Sequence, residues 1–159
     1  MSLFNIYEKE WISMRVRIDA DACPVTRLAL ALCRERGVAV TLYCDTAHQF
    51  APGEGCEVKV VSQGADAADY ALVGDLEPGD IAVTQDYGVA AMALAKRARA
   101  LNQNGLVYTD ENLDGLLMSR HLGRKVRRAG GRTKGPKKRT AQQDEDFCRA
   151  LEGLLDAYP

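Results

Sequence analysis

The amino-acid order predicts an α/β protein: a three-layer α/β/α, Rossmann-like fold around a mainly parallel sheet of about five strands. Three observations predict it. Short β-branched runs alternate with longer segments of helical apolar spacing, the pattern of βαβ crossovers. The strand-like runs are followed by turn signals or helix-start residues. Acidic residues collect just past the strand ends, where an open parallel sheet binds its ligands.

The elements follow in order. RVRID (15–19) reads as a buried strand that ends on Asp19 and is followed by Asp21. Pro24, at a first helical position, opens a helix that Gly37 stops. VAVTLYC (38–44) is the second strand, residues 45–55 a loop, and EVKVV (57–61) the third strand. A short helix entered through a turn covers 64–73, carrying Asp66 and Asp69. The turn DLEPGD (75–80) feeds a strand at 81–84. Asp86 then opens a helix expected to run through 101, and Leu106 to Tyr108 is expected as the fifth strand. Thr109-Asp110-Glu111-Asn112 caps a helix to about residue 122.

From Arg124 to Lys138 the Gly-Gly and Gly-Pro pairs and dense like charge predict a mobile loop. Thr140 and Gln143 form a capping box for a last helix, whose stripe of Phe147, Leu151, Leu154, Leu155 and Tyr158 docks it back on the domain. Residues 1–13 are expected to be an N-terminal extension, with Met14 a candidate natural start. Residues 14–159 then form one domain that includes the basic loop (about 120–139) and the C-terminal helix.

With 159 residues, 47% hydrophobic and 27% charged, the chain suits one globular domain that buries roughly two-thirds of its unfolded surface. No apolar run approaches the ~20 residues of a membrane span, and residues 1–13 lack a signal-peptide core. A cytoplasmic protein without membrane attachment is expected. Five cysteines, an odd number without a Cys-x-x-Cys pair, argue against closed zinc sites and a disulfide framework. The net charge of −1 hides an asymmetry: residues 40–119 carry twelve acidic and four basic side chains, whereas 120–139 carry ten Lys or Arg and no acid.

The acids set the chemistry. Asp19, Asp21, Asp66, Asp69 and Asp86 are candidate metal ligands, and Asp19, Thr84 and Asp86 candidate catalytic residues. Gathered carboxylates repel, and hard ions such as Mg²⁺ or Mn²⁺, which favour oxygen ligands, relieve that repulsion. Such ions activate water against a phosphodiester. Asp is also a preferred helix cap, a competing role for Asp86, for one of Asp66 and Asp69, and for Asp110 and Glu111. Asp19 precedes its helix by several residues, so capping does not account for it.

The motifs DADACP, GADAAD, VTQDYGVAAMAL, LNQNGLVYTDENL and GGRTKGP together resemble the YaiI/YqxD family of the PIN-like nuclease superfamily, from about Met14 to the C-terminus. The resemblance implies a PIN-like α/β/α fold and metal-dependent ribonuclease chemistry. It assigns Asp19 to the strand-one acid, Asp66 or Asp69 to the helix acid, and Thr84 with Asp86 to Thr-x-Asp. Asp21 belongs to the YaiI/YqxD pattern alone. The chain departs where many PIN domains carry another acid after Thr-x-Asp; here Tyr87, Gly88 and Val89 follow.

The basic tract supplies candidate nucleic-acid contacts at Arg124, Lys125, Arg127, Arg128, Arg132, Lys134, Lys137, Lys138 and Arg139. Such a tract attracts a polyphosphate backbone, and the resemblance implies RNA before DNA, but its aromatic-free composition offers no stacking platform. Two rival readings stay open: a haloacid-dehalogenase-like phosphohydrolase using Asp19-x-Asp21, and a non-enzymatic RNA- or partner-binding module with a vestigial metal site.

Overall fold

A computed structural model describes residues 14–21, 23–45, 56–62, 66–132, 135 and 137–157. The expected extension at 1–13, Lys134, Tyr158 and most of the 45–55 loop lie outside the described residues. In chain order the elements are β1 Arg15–Asp19, α1 Thr26–Glu35, β2 Ala39–Asp45, β3 Cys56–Val61, α2 Ala67–Asp75, β4 Ile81–Val83, α3 Tyr87–Ala95, β5 Arg99–Leu101, α4 Asp110–Arg128 and α5 Ala141–Asp156.

The five strands form one sheet in the order β3-β2-β1-β4-β5, every pairing parallel. This is the three-layer, Rossmann-like arrangement the sequence predicts. The chain builds outward from β1 to β3, then crosses back to lay β4 on the other side of β1. That reversal opens a crevice beyond the carboxyl ends of β1 and β4.

Alternation along each strand assigns the layers. Val16 and Ile18 join Val40, Leu42, Ile81, Val83 and Leu101 in one core, covered by Ala29 and Cys33 of α1 and Phe147, Leu151 and Leu155 of α5. On the other face Tyr43, Ala82 and Ala100 meet Leu72 of α2, Val89, Ala90 and Ala93 of α3, and Leu113 of α4.

That second face also buries charge. Arg17 Nε donates to Asp80 Oδ2 at 2.8 Å, and the fully buried Asp80 accepts as well from the backbone N–H groups of Arg15 (3.0 Å) and Glu77 (2.9 Å). Arg17 Nη1 donates to the Tyr43 hydroxyl at 2.9 Å, which donates to Asp75 Oδ2 at 2.8 Å; Lys59 Nζ reaches the same oxygen at 2.6 Å. One connected network thus spans β1, β2, β3, the end of α2 and the turn before β4.

Two expected boundaries are corrected. The helix opened by Asp86 stops at Ala95, and the fifth strand is Arg99–Leu101, not 106–108. Arg97 takes a left-handed conformation (φ 61°) and the Ala98 N–H bonds back to the Ala93 carbonyl, ending the helix. The alanine-rich 98–101 stretch is helical by propensity, but pairing with β4 in the buried sheet overrides that preference. Val107 makes only an isolated antiparallel bridge to Leu101.

A third correction concerns the basic tract. Helix α4 runs on to Arg128, through the start of the expected loop. Lys125, Arg127 and Arg128 occupy its last turn, where the exposed carbonyl ends favour cations. Gly130 (φ 84°) then stops it, with the Gly131 N–H bonded to the Val126 carbonyl.

The C-terminal helix docks as predicted, behind the Thr140–Gln143 capping box. Arg139 fastens its start: Nε donates to Asp144 (2.7 Å), Nη1 to Asn104 Oδ1 (2.8 Å) and Nη2 to the Gln103 carbonyl (2.7 Å). Gly105 (φ 86°) lies against α5 so closely that a Cβ would stand 2.5 Å from the Asp146 carbonyl oxygen.

Removing the Asp80 carboxylate leaves the Arg17 guanidinium without its counter-charge and two backbone donors without their partner. Asp80→Ala is expected to cost about 3–5 kcal/mol in urea unfolding. Adding Arg17→Met should recover part of that loss; a strictly additive double variant would mean the pair is not coupled.

Candidate active site

Strand ends and helix starts bring the acids together. Asp19 is the last residue of β1, in register with Tyr43 of β2, while Ile18 pairs with Val83 of β4. Thr84 therefore leaves β4 beside Asp19. The Asp19 carboxyl is hydrogen-bonded to that of Asp69, in the first turn of α2. Asp21 accepts from the Asp45 N–H at the end of β2, at 3.1 Å through Oδ2 and 3.4 Å through Oδ1.

Thr84 is buried and fully engaged. Its N–H donates to the Leu101 carbonyl (3.1 Å), its Oγ1 accepts from the Asp86 N–H (3.0 Å), and its carbonyl accepts from the Tyr108 hydroxyl (3.1 Å). Asp86 is the N-cap of α3, its Oδ1 accepting from the Val89 N–H at 3.0 Å. A Cβ at Gly88 would lie 3.0 Å from that oxygen. Asp66 holds the N-cap position of α2 in a left-handed conformation (φ 67°), but its side chain makes no capping bond. Thr109, rather than Asp110 or Glu111, caps α4 through a reciprocal box with Asn112.

Asp19 and Asp21 stand between two clefts. The larger, about 720 Å³, has Thr84 and Asp86 on the strand side and Arg120 and Arg127 of α4 among its other wall residues. Tyr87 and Gln103 line it too. The smaller, about 200 Å³, is lined mainly by acids: Asp45, Asp66 and Asp69 join Asp19 and Asp21.

Crowding perturbs the pair that touches. Burial first, then the charges of Asp69, Asp21 and Asp86, push Asp19 from 3.8 up to about 7. Burial also raises Asp69, helped by Asp86, Asp66 and Asp21, while its bond with Asp19 pulls the other way. A hydrogen bond between two carboxyl groups needs one proton, so the two raised groups titrate as a pair.

Of the predicted cations, Arg127 lines the larger cleft; Arg124, Lys125 and Arg128 are exposed on α4, and Arg132, Lys137 and Lys138 exposed beyond it. Arg139 is committed to fastening α5. Sequence reading missed Arg120, Tyr87, Gln103 and Asp45. Asp45 had a signal, since it ends a strand next to β1; the others reach the site only through tertiary packing. Among the described residues, no three His, Cys, Asp or Glu side chains stand close enough to form a metal cage. No described helix is long and apolar enough to cross a membrane.

Comparison with known proteins gives a consistent result. A family model described as the uncharacterised YaiI/YqxD family matches residues 17–157. The chain is 54% identical over 142 residues to a UPF0178 protein of Exiguobacterium sibiricum, covering 89% of this chain and 96% of that one. It is 47% identical over 138 residues to a UPF0178 protein of Ruminiclostridium cellulolyticum, covering 87% and 90%. A UPF0178 protein of Clostridium acetobutylicum is 45% identical over 144 residues, covering 89% and 97%. No solved structure matches.

The raised Asp19 carboxyl has a sign that can be measured. Its folded pKa lies above the 3.8 of the free group, so the native chain holds this proton more tightly than the unfolded chain. The stability it contributes is complete below about pH 4 and is lost as pH rises towards 7. At about pH 8, Asp19→Asn should be more stable than wild type by on the order of 1–2 kcal/mol, allowing for partial exposure. The gap should narrow in acid; denaturant melts that show a constant or inverted gap would contradict the crowding.

Proposed function

The chain belongs to the YaiI/YqxD family, and from its strand-end carboxylates we propose that it is a divalent-metal-dependent nuclease acting on RNA. One observation carries this reading. The hydrogen-bonded Asp19 and Asp69 carboxyls, with Asp21 and Asp86 in electrostatic reach, lie at the carboxyl-end side of the paired β1 and β4, and the cleft beside them includes Arg120 and Arg127.

The donor set fits a hard, hydrated ion. It is all oxygen, and the crowding that raises Asp19 and Asp69 is the repulsion a cation between them would relieve. Mg²⁺ keeps several waters and needs only one or two carboxylates, so the lack of a three-residue cage is compatible with it. Asp19 and Asp69 would hold the ion directly, with Asp86 and Asp21 reaching it through water. What supports Asp69 over Asp66 as the helix acid is its bond to Asp19. A bound Mg²⁺ or Mn²⁺ supplies an acidified water and offsets phosphate charge.

The chain's own groups do the rest. Thr84 is a positioning residue: its hydroxyl fixes the Asp86 backbone, and the helix cap holds one Asp86 oxygen while the other faces no such demand from the cap. Arg120 and Arg127 offer planar donors to the phosphate backbone. The phosphohydrolase reading has less support, because Asp21, its acid/base, is engaged by the Asp45 backbone N–H at the end of β2.

Labelled single-stranded RNA with Mn²⁺ and with chelator tests the proposal. Cleavage should need the ion, fall about a hundredfold in Asp19→Asn and Asp69→Asn, and fall about tenfold in Thr84→Val. Mn²⁺ should raise the thermal midpoint of wild type but not of Asp19→Asn. Equal cleavage by wild type and Asp19→Asn, or cleavage in chelator, would refute it; salt-sensitive retention without cleavage would mark a binding module.

A further inference from the structure

The larger cleft contains an aromatic wall that the basic tract lacks. Tyr87, the first residue of α3, follows Asp86 directly and lines the cleft with Leu116. Its ring is set by Tyr108: the centroids are 6.3 Å apart and the planes 69° apart. Tyr108 is itself buried and anchored through its hydroxyl to the Thr84 carbonyl. An edge-to-face contact uses at most one face of the Tyr87 ring. At least one face is therefore left by Tyr108, in a ring whose neighbour in the chain is a candidate metal-holding carboxylate.

Two further features belong to the same wall. Arg120 and Arg127 are cations within the cleft lining, suited to a phosphate. Gln103 Oε1 is the buried side-chain oxygen without a hydrogen-bond partner among the described residues. A buried amide oxygen left unpaired is costly, and a donor on a ligand that reorients this side chain would remove the cost. The cleft volume, about 720 Å³, falls in the range of small-molecule sites.

We infer that this cleft is a nucleotide subsite in which an unpaired base stacks on Tyr87 while Arg120 and Arg127 take the adjoining phosphate. The inference rests on the nuclease reading for the identity of the strand. It goes beyond it in naming how the strand is gripped. A base inside a duplex has both faces covered by its neighbours, so this subsite selects single-stranded segments. Stacking uses the π-face that every base has, so little preference among the four bases follows from it.

The test measures binding with the chemistry silenced. Short single-stranded RNA and an otherwise identical oligonucleotide with abasic positions are titrated into the full chain in chelator at low salt. Wild type should bind the base-bearing strand about tenfold or more tightly than the abasic one. Tyr87→Phe should keep that preference. Tyr87→Leu, which keeps an apolar contact for Tyr108 but has no ring, should bind both strands equally and should retain a wild-type-like circular dichroism spectrum. Arg120→Ala should weaken both strands alike and flatten the salt dependence.

A base preference that survives in Tyr87→Leu would overturn the stacking subsite, as would equal binding of the two strands by wild type or no binding of either. The nuclease reading fails separately: if the Tyr87-dependent preference is present but Mn²⁺ yields no cleavage, the subsite stands without it.

Discussion

The Arg17 guanidinium, sealed between β1 and the turn that feeds β4, fixes the level at which the two central strands run side by side, and the meeting of Asp19 with Thr84 follows from that level. Buried ion pairs return little net stability, because desolvating both charges offsets most of their attraction. What this pair supplies is register. Asp80 accepts from Arg17 and from two backbone N–H groups, a set that is complete in only one alignment of β1 with the 77–80 turn. A slip of one residue would turn Val16 and Ile18 to the wrong face and carry Asp19 away from its partners.

Against this fixed frame the carboxylates work at a loss. Their mutual repulsion falls at the carboxyl ends of β1 and β4, where the fold leaves a crevice in any case. Local bonds offset part of it: Asp86 caps α3 and Asp21 accepts from the Asp45 N–H. Asp19 has no comparable backbone partner in the described geometry, and its carboxyl is pushed up instead. Stability given up at one place and recovered nearby is the pattern of a functional site.

Much of the fold was legible because local chemistry and tertiary packing agree. The β-branched runs at 15–19 and 38–44, the Thr109 and Thr140 caps and the apolar stripe of the last helix all point the same way in isolation and in place. Legibility failed where they disagree. The 98–101 stretch is alanine-rich and helical by preference, but strand pairing claims it. The cations of 124–128 suggest a loop by repulsion, but a helix C-terminus accommodates them. The carboxylate side of the cleft was readable, since strand ends converge by topology. Tyr87, Gln103 and Arg120 were not, since their approach depends on how α3, α4 and the 102–106 turn pack.

That turn has a consequence for how the molecule is made. Gln103, a wall of the cleft, is held through its carbonyl by Arg139, and Gly105 is pressed against the backbone of α5. Chains leave the ribosome N-terminus first. Asp19, Asp69 and Asp86 all emerge well before the segment that locks this wall. The cleft therefore reaches its final shape only once the 139–147 segment has been made, and a nascent chain that stops short of it carries the acids without the finished pocket.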